Sequence, residues 1–412
     1  MFRRKSYKRL IAFITLIAVM WSMLLSWAVQ ADYTAEVAKG YYQAANRETL
    51  NCKSYAIVEI STGTIVETKN PDAKIEVGNI TKLMTMYLAL EHMVSKGDNL
   101  QTLIPVSVNA QLAARGRATV YLDGYKREQI TIEQALTAVS IASAVDAAYV
   151  LAEYVSGSES NFVAHMNAKA KEMGMNDSYF ADCSGVTVDG QYTTAHDLAI
   201  LSYNLLSKHP EITNYTRLTY GKFEHKTTDG SYTEMVSANN LTRNKFFSQS
   251  DGLLIGSSKE DGYSMVGTVQ KDGSRVAAVV LGCLDQNYRA AETRFLLEYG
   301  VENFEYRKIE VSGTFVRKVD IKKGEETRIN TETLGEFSAI LNVNDFERVQ
   351  RKIVINKELV APIEAGTEVG EIIYSLDGEE LGRVKVITSE SMEKAGWFKL
   401  LVRAILEFFG FV

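Results

Sequence analysis

The sequence predicts an α+β fold built on one antiparallel sheet, followed by a small all-β domain of sandwich type and a terminal amphipathic helix. Three observations carry this expectation. β-prone segments stand at both ends of a long first region, with helical periodicities between them, the pattern of distant strands meeting in one sheet. After about Tyr306, short strands and turn residues replace helices. The last sixteen residues, from Trp397, separate charge from hydrocarbon at helical spacing. A chain of 412 residues has room for two or three such units, each with its own core.

The elements follow in order. Residues 54–60 are apolar and β-prone, Ser61-Thr62-Gly63 turns, and 64–67 is extended again, a hairpin. Leu83, Met84, Tyr87, Leu88 and Leu90 recur at helical spacing and predict a buried helix over 81–93, entered from Gly78-Asn79. Thr131 followed by Gln134 forms a capping box for a helix over 132–141. Further helices are expected over 146–154, over 162–173 with Gly174 as its stop, over 194–206 and over 290–299. Residues 263–270 and 275–282 flank Asp272-Gly273, a hairpin signal. In the β-rich part the turns are Lys322-Lys323-Gly324, Gly366 and Asp377-Gly378, with helix expected only after Ser389. The charged stretch 322–328 reads as a solvated face.

Composition narrows the function classes. At 46% hydrophobic, 23% charged and 10% aromatic, the chain has an ordinary globular make-up. A mean hydropathy of −0.10 excludes a polytopic membrane protein, and a pI of about 5.6 argues against a nucleic-acid partner. The ends differ from the middle. Arg3, Arg4, Lys5, Lys8 and Arg9 precede an uncharged stretch, 10–29, and a small-x-small site at Val29-Gln30-Ala31. Residues 1–31 therefore read as a secretory signal peptide. The same run is long enough to span a bilayer as a retained anchor. Without those five cations the net charge of −6 becomes −11.

At the other end, Lys399, Arg403 and Glu407 share one helical stripe, and Trp397, Leu401, Ala404, Ile405 and Phe408 the opposite face. Phe409, Phe411 and Val412 extend the apolar end. This describes a helix lying on a membrane surface; a terminal helix packed on a domain is the other reading. The three cysteines, Cys52, Cys183 and Cys283, cannot all pair within the chain, and buried free thiols are expected. They form no C-x-x-C, and His92, His165, His196, His209 and His225 do not cluster, so neither a zinc site nor another cofactor is expected.

The helix entry Gly78-Asn79-Ile80-Thr81-Lys82 resembles the S-x-x-K region of the D-alanyl-D-alanine carboxypeptidases, the low-molecular-weight penicillin-binding proteins. Ser143-Ala144-Val145-Asp146 resembles their S-x-N segment, and Asp251-Gly252-Leu253-Leu254-Ile255-Gly256 their D-G-L-K-T-G segment. Gly262 to Gly267 and Val279 to Gly282 are similar to the strands that follow, and Leu359-Val360-Ala361-Pro362 to the C-terminal β-domain. The resemblance implies a β-lactamase/transpeptidase-like domain over 32–305, the β-domain over 306–388 and a membrane-associating helix over 389–412. It implies a location on the outer face of the cell membrane, and as partners peptidoglycan stem peptides or cell-wall synthesis proteins.

It also implies roles for single positions. In the family a serine at the helix start attacks the peptide carbonyl between two D-alanines, and the lysine one turn on shares its face and can take the proton. Here Asn79 stands at the nucleophile position, while Lys82 and the relay serine, Ser143, are kept. Val145 replaces the asparagine that holds the substrate amide. Leu254 and Ile255 replace the lysine and threonine that bind its carboxylate. Loss of a nucleophile alone costs on the order of 10⁶-fold. A catalytically inactive homologue with a binding or scaffolding role is therefore expected. A carboxypeptidase working through Ser143 and Lys82 is the alternative. Lys82 has a further reading as a buried lysine paired with a carbonyl or an acid, and Ser143 as an N-cap of the helix at Asp146.

Overall fold

The computed structural model describes residues 49–186, 190–225, 230–243, 247, 249–355 and 358–408. The basic and apolar segment 1–31 lies outside the described residues, as do Phe409, Phe411 and Val412 and the side chains of Glu407 and Phe408. The chain divides into two compact units, Met1–Glu302 and Asn303–Val412.

The first unit opens with the hairpin of β1 (Ser54–Glu59) and β2 (Ile65–Lys69). A 3₁₀ turn, Gly78–Thr81, leads into α1 (Lys82–Lys96). Then come β3 (Leu103–Pro105), α2 (Val108–Ala113), β4 (Gln129–Thr131), α3 (Ile132–Ala142), α4 (Val145–Ser156), α5 (Glu159–Glu172) and α6 (Ala195–Lys208). They are followed by α7 (Thr213–Thr216), β5 (Tyr220–Glu224), β6 (Tyr232–Val236), α8 (Asn240–Arg243), β7 (Ser250–Ser258), β8 (Gly262–Lys271), β9 (Ser274–Cys283) and α9 (Gln286–Asn303). Five strands make one sheet in the order β2-β1-β9-β8-β7, antiparallel throughout.

Strand alternation sorts the core into two layers. Ala56, Val58, Val266, Ala277 and Val279 face α1, α3, α4 and α6 in the larger cluster. Tyr55, Ile57, Met265, Val276, Ala278 and Val280 face Leu296 and Leu297 of α9 in the other. The α9 contact is close enough to need Gly267 and Gly300, where a Cβ would press on Thr293 and on Ile57. The Thr131–Gln134 capping box is present.

Several expectations need correction. Helix α5 starts at Glu159, because Ser158 caps it by accepting from the Asn161 N–H, and α9 runs further at both ends than the expected 290–299. The β3–β4 and β5–β6 pairs and the short α2 were not foreseen. Ser143 is not an N-cap. It ends α3 in the left-handed region at φ 51°, and Ala144 stands at the start of α4 with no side-chain cap.

In the second unit, β10 (Phe304–Glu310) pairs with β13 (Phe337–Asn342). The strands β11 (Phe315–Lys322), β12 (Arg328–Leu334), β14 (Gln350–Ile355), β15 (Leu359–Val360), β16 (Glu368–Leu376) and β17 (Glu379–Thr388) form a six-stranded sheet, β14-β16-β17-β12-β11-β15. Phe337 of the small sheet stacks on Tyr374 of the large one at 4.5 Å, over a core of Ile321, Ile329, Val369, Ile372, Val384 and Val386. Helix α10 (Trp397–Phe408) is clipped to this unit by its polar stripe. Lys399 reaches the Glu325 carboxylate at 2.7 Å, and Arg403 donates to the carbonyls of Gly324 and Glu325 at 2.6 and 2.7 Å. Its other side is bare, with Trp397 77%, Phe398 65% and Leu401 50% exposed. No helix among the described residues is long and apolar enough to cross a membrane.

Candidate active site

The three motif segments converge where α1, the α3–α4 junction and β7 meet. Glycines permit the approach. A Cβ on Gly78 would collide with the Ser257 carbonyl, one on Gly256 with that of Val77, and one on Gly185 with that of Gly78. The 3₁₀ turn sets Asn79, half-buried, one helical turn before Lys82.

Lys82 is fully buried. Its Nζ donates to Asn79 Oδ1 at 2.7 Å and to the Ser184 carbonyl. Burial pushes its amine down to about 8, opposed by the pull of Asp182 and Cys183. Asp182 does not bond the lysine directly. Its carboxylate accepts the N–H groups of Ser184 at 2.9 Å, Gly185, and Val186 at 3.0 Å, which folds segment 182–186 over α1. Thr85 ties the same segment down by donating to the Cys183 carbonyl at 2.6 Å. Thr81 faces the packed side and is 1% exposed. Its hydroxyl is without a hydrogen-bond partner among the described residues.

At the second segment, Ser143 turns half-exposed off the end of α3. Val145 is fully buried, and its N–H donates to the Ala118 carbonyl at 2.8 Å. Asp146, which the sequence reading passed over, is fully buried and organises this corner. Its carboxylate accepts from the Thr119 hydroxyl and from the N–H groups of Val120 and Leu122 at 3.2 and 3.1 Å. It sits in the first turn of α4, where an acid complements the helix dipole.

On β7, Leu254 is buried and Ile255 half-buried. Together with Ser143, Ile141, Ser237 and Asn239 they line a partly open cavity of about 10 Å³. That is room for about one water and no more. The structure thus brings Ser143, Leu254 and Ile255 to one cleft and couples Asn79 to Lys82 beside it. Val145 lies in the packing and does not line the cleft. The Lys82 amine is directed to Asn79 and Ser184 rather than to Ser143. A larger cavity, about 480 Å³, lies in the second unit; Glu310 in its wall bonds Tyr374 at 2.5 Å and Arg351 at 3.2 Å.

Comparison with known proteins follows these segments. The family described as D-alanyl-D-alanine carboxypeptidase matches residues 41–284, and the penicillin-binding protein 5 C-terminal domain matches residues 304–394. The D-alanyl-D-alanine carboxypeptidase DacF of Bacillus subtilis (strain 168) is 32% identical over 354 residues, 86% of this chain and 89% of that protein. Among solved structures, DacD from Francisella tularensis aligns at 23% identity with a TM-score of 0.69, over 84% of this chain and 94% of that one. Penicillin-binding protein D2 from Listeria monocytogenes, solved in its ampicillin-bound form, aligns at 27% identity and TM-score 0.52, over 62% of this chain and 100% of that one.

Proposed function

The chain belongs to the D-alanyl-D-alanine carboxypeptidase family, whose members act in cell-wall metabolism, and we propose that it keeps the family fold without the hydrolysis. The observation that carries this reading is the Asn79–Lys82 hydrogen bond at 2.7 Å. A carboxamide oxygen occupies the amine that would otherwise take a proton from an attacking hydroxyl. An amide has no comparable nucleophilic oxygen to offer in return. The binding side is altered as well. Leu254 and Ile255 offer hydrocarbon where a substrate carboxylate would need a cation and a hydroxyl, and they leave only about 10 Å³ beside Ser143.

The filled cleft favours a scaffolding role over capture of a stem peptide. In this reading residues 32–305 form the carboxypeptidase-like domain, 306–388 the β-domain, and 389–412 a foot on the membrane. The export segment 1–31 delivers the chain to the outer face of that membrane. The clip at Lys399 and Arg403 supports the foot, because it spends the polar stripe on the protein and leaves Trp397, Phe398, Leu401 and Ile405 outward. The alternative, hydrolysis through Ser143, lacks support from the direction of the Lys82 amine. The test is release of D-alanine from a pentapeptide ending in D-Ala-D-Ala by the purified, folded chain. The reading expects none above the spontaneous rate, and release at the rate of an active family member would overturn it.

A further inference from the structure

On the sheet face away from the candidate site, two cysteines meet. The last residue of β9 is Cys283, and Cys52 stands two residues before β1. Ser54 pairs with Leu281, and the Lys53 N–H donates to the Leu281 carbonyl at 2.9 Å, so the pairing continues beyond the ladder and carries Cys52 to Cys283. The Cys52 thiol neighbours that of Cys283 and raises its pKa, and both residues are 1% exposed. A single carboxylate oxygen fixes both: Glu292 Oε2 accepts the Cys52 N–H at 2.9 Å and the Cys283 thiol at 3.8 Å. The third cysteine, Cys183, belongs to the core layer on the opposite face.

We propose that Cys52 and Cys283 are a redox pair that closes to a disulfide, joining the approach to β1 to the end of β9. The reaction is exchange with a disulfide donor, either a low-molecular-weight disulfide or an exported disulfide-carrying protein. One cysteine thiolate attacks the donor S–S bond, forms a mixed disulfide and releases one donor thiol. The second cysteine thiolate then attacks the chain's own sulfur in that mixed disulfide and releases the other. Two cysteines lose two electrons, the donor gains them, and the two protons end on the donor thiols. The neighbouring Cys52 thiol and burial raise the Cys283 thiol well above its ordinary range, so thiolate is scarce in the closed state. Exchange therefore runs through opening of segment 49–53, which is held by the Asn51 and Cys52 N–H groups on Glu292 and by Lys69 on the Leu50 and Cys52 carbonyls.

The test is to incubate the folded full chain with glutathione disulfide at mildly alkaline pH, then denature it and alkylate with N-ethylmaleimide. The expected product has lost two hydrogens, carries one alkylated thiol at Cys183, and yields a cross-linked peptide pair containing Cys52 and Cys283. It also melts higher than the reduced protein by on the order of 10 °C, reversibly with a dithiol reductant. Cys52→Ala and Cys283→Ala should each show no gain in melting temperature on oxidation; if either fails to fold, the wild-type mass decides. Three alkylated thiols, a stalled glutathione adduct, a cross-link to Cys183, or a cross-linked product that melts no higher would each overturn the proposal.

Discussion

Replacing Lys82 by Met tests how the candidate site stores a charge. The Lys82 amine, ordinarily at 10.5, is held at about 8 by burial. At about 1.4 kcal/mol per pH unit, that drop is a penalty of roughly 3 kcal/mol on the charged folded state. Below about pH 8 both states are protonated and the penalty is felt in full. Between about pH 8 and 10.5 the folded state has released its proton while the unfolded state still binds one, so stability rises with pH. Integrated from about pH 7 to 9.5, wild type regains about 2 kcal/mol through this residue. Other groups titrate in this range, including Cys183, whose thiol burial raises, and Cys283, raised by the Cys52 thiol and by burial, and they work in the opposite direction. Cys283 does not feel Lys82 and cancels in the difference; Cys183 does, but losing the Lys82 charge only raises its thiol further, so in the folded state it stays protonated across this range in both proteins. The assay is urea unfolding of wild type and Lys82→Met across that range. The variant also leaves Asn79 Oδ1 and the Ser184 carbonyl without a donor, which offsets its curve by a constant. The expected result is a gap between the curves that shifts in wild type's favour by about 2 kcal/mol. Curves that stay parallel would show that Lys82 is not the depressed, buried cation described here.

Three further outcomes follow from the same geometry. Asn79→Ser alone should gain no acylation by a penicillin, because Leu254 and Ile255 still face the ligand carboxylate, and intact-mass measurement checks this. Asp146→Ala should lower unfolding stability by on the order of 3 kcal/mol in urea, since the Thr119 hydroxyl and the N–H groups of Val120 and Leu122 lose their shared acceptor. Replacing Trp397 and Phe398 together by Ser should weaken sedimentation of the full chain with phospholipid vesicles by at least about tenfold, because both rings are exposed on α10.

Much of the fold could be read from local chemistry. The capping box at Thr131–Gln134 and the turn at Asp272-Gly273, both at positive φ, announce themselves within a few residues. The hairpin of β5 and β6 did not, because Phe223 and Met235 are the one buried side chain in each strand and a period of two cannot show through. Ser143 was legible as a motif position but not as a left-handed helix end, since αL geometry in a serine has no sequence mark. Lysines are rarely buried, and the segment that makes Lys82 tolerable begins about a hundred positions away. Asp182 and Asp146 were missed for related reasons. Each binds backbone N–H groups of a loop, and only the place of Asp146 in a first helical turn could have pointed to it.

The central claim is that this carboxypeptidase fold carries no working nucleophile. It is tested most directly by incubating the full chain with excess penicillin and measuring its intact mass, with an active family member as control. The expected result is an unchanged mass for this chain while the control gains one penicilloyl group. An adduct on this chain, mapped to Ser143 or to any other side chain of the cleft, would contradict it.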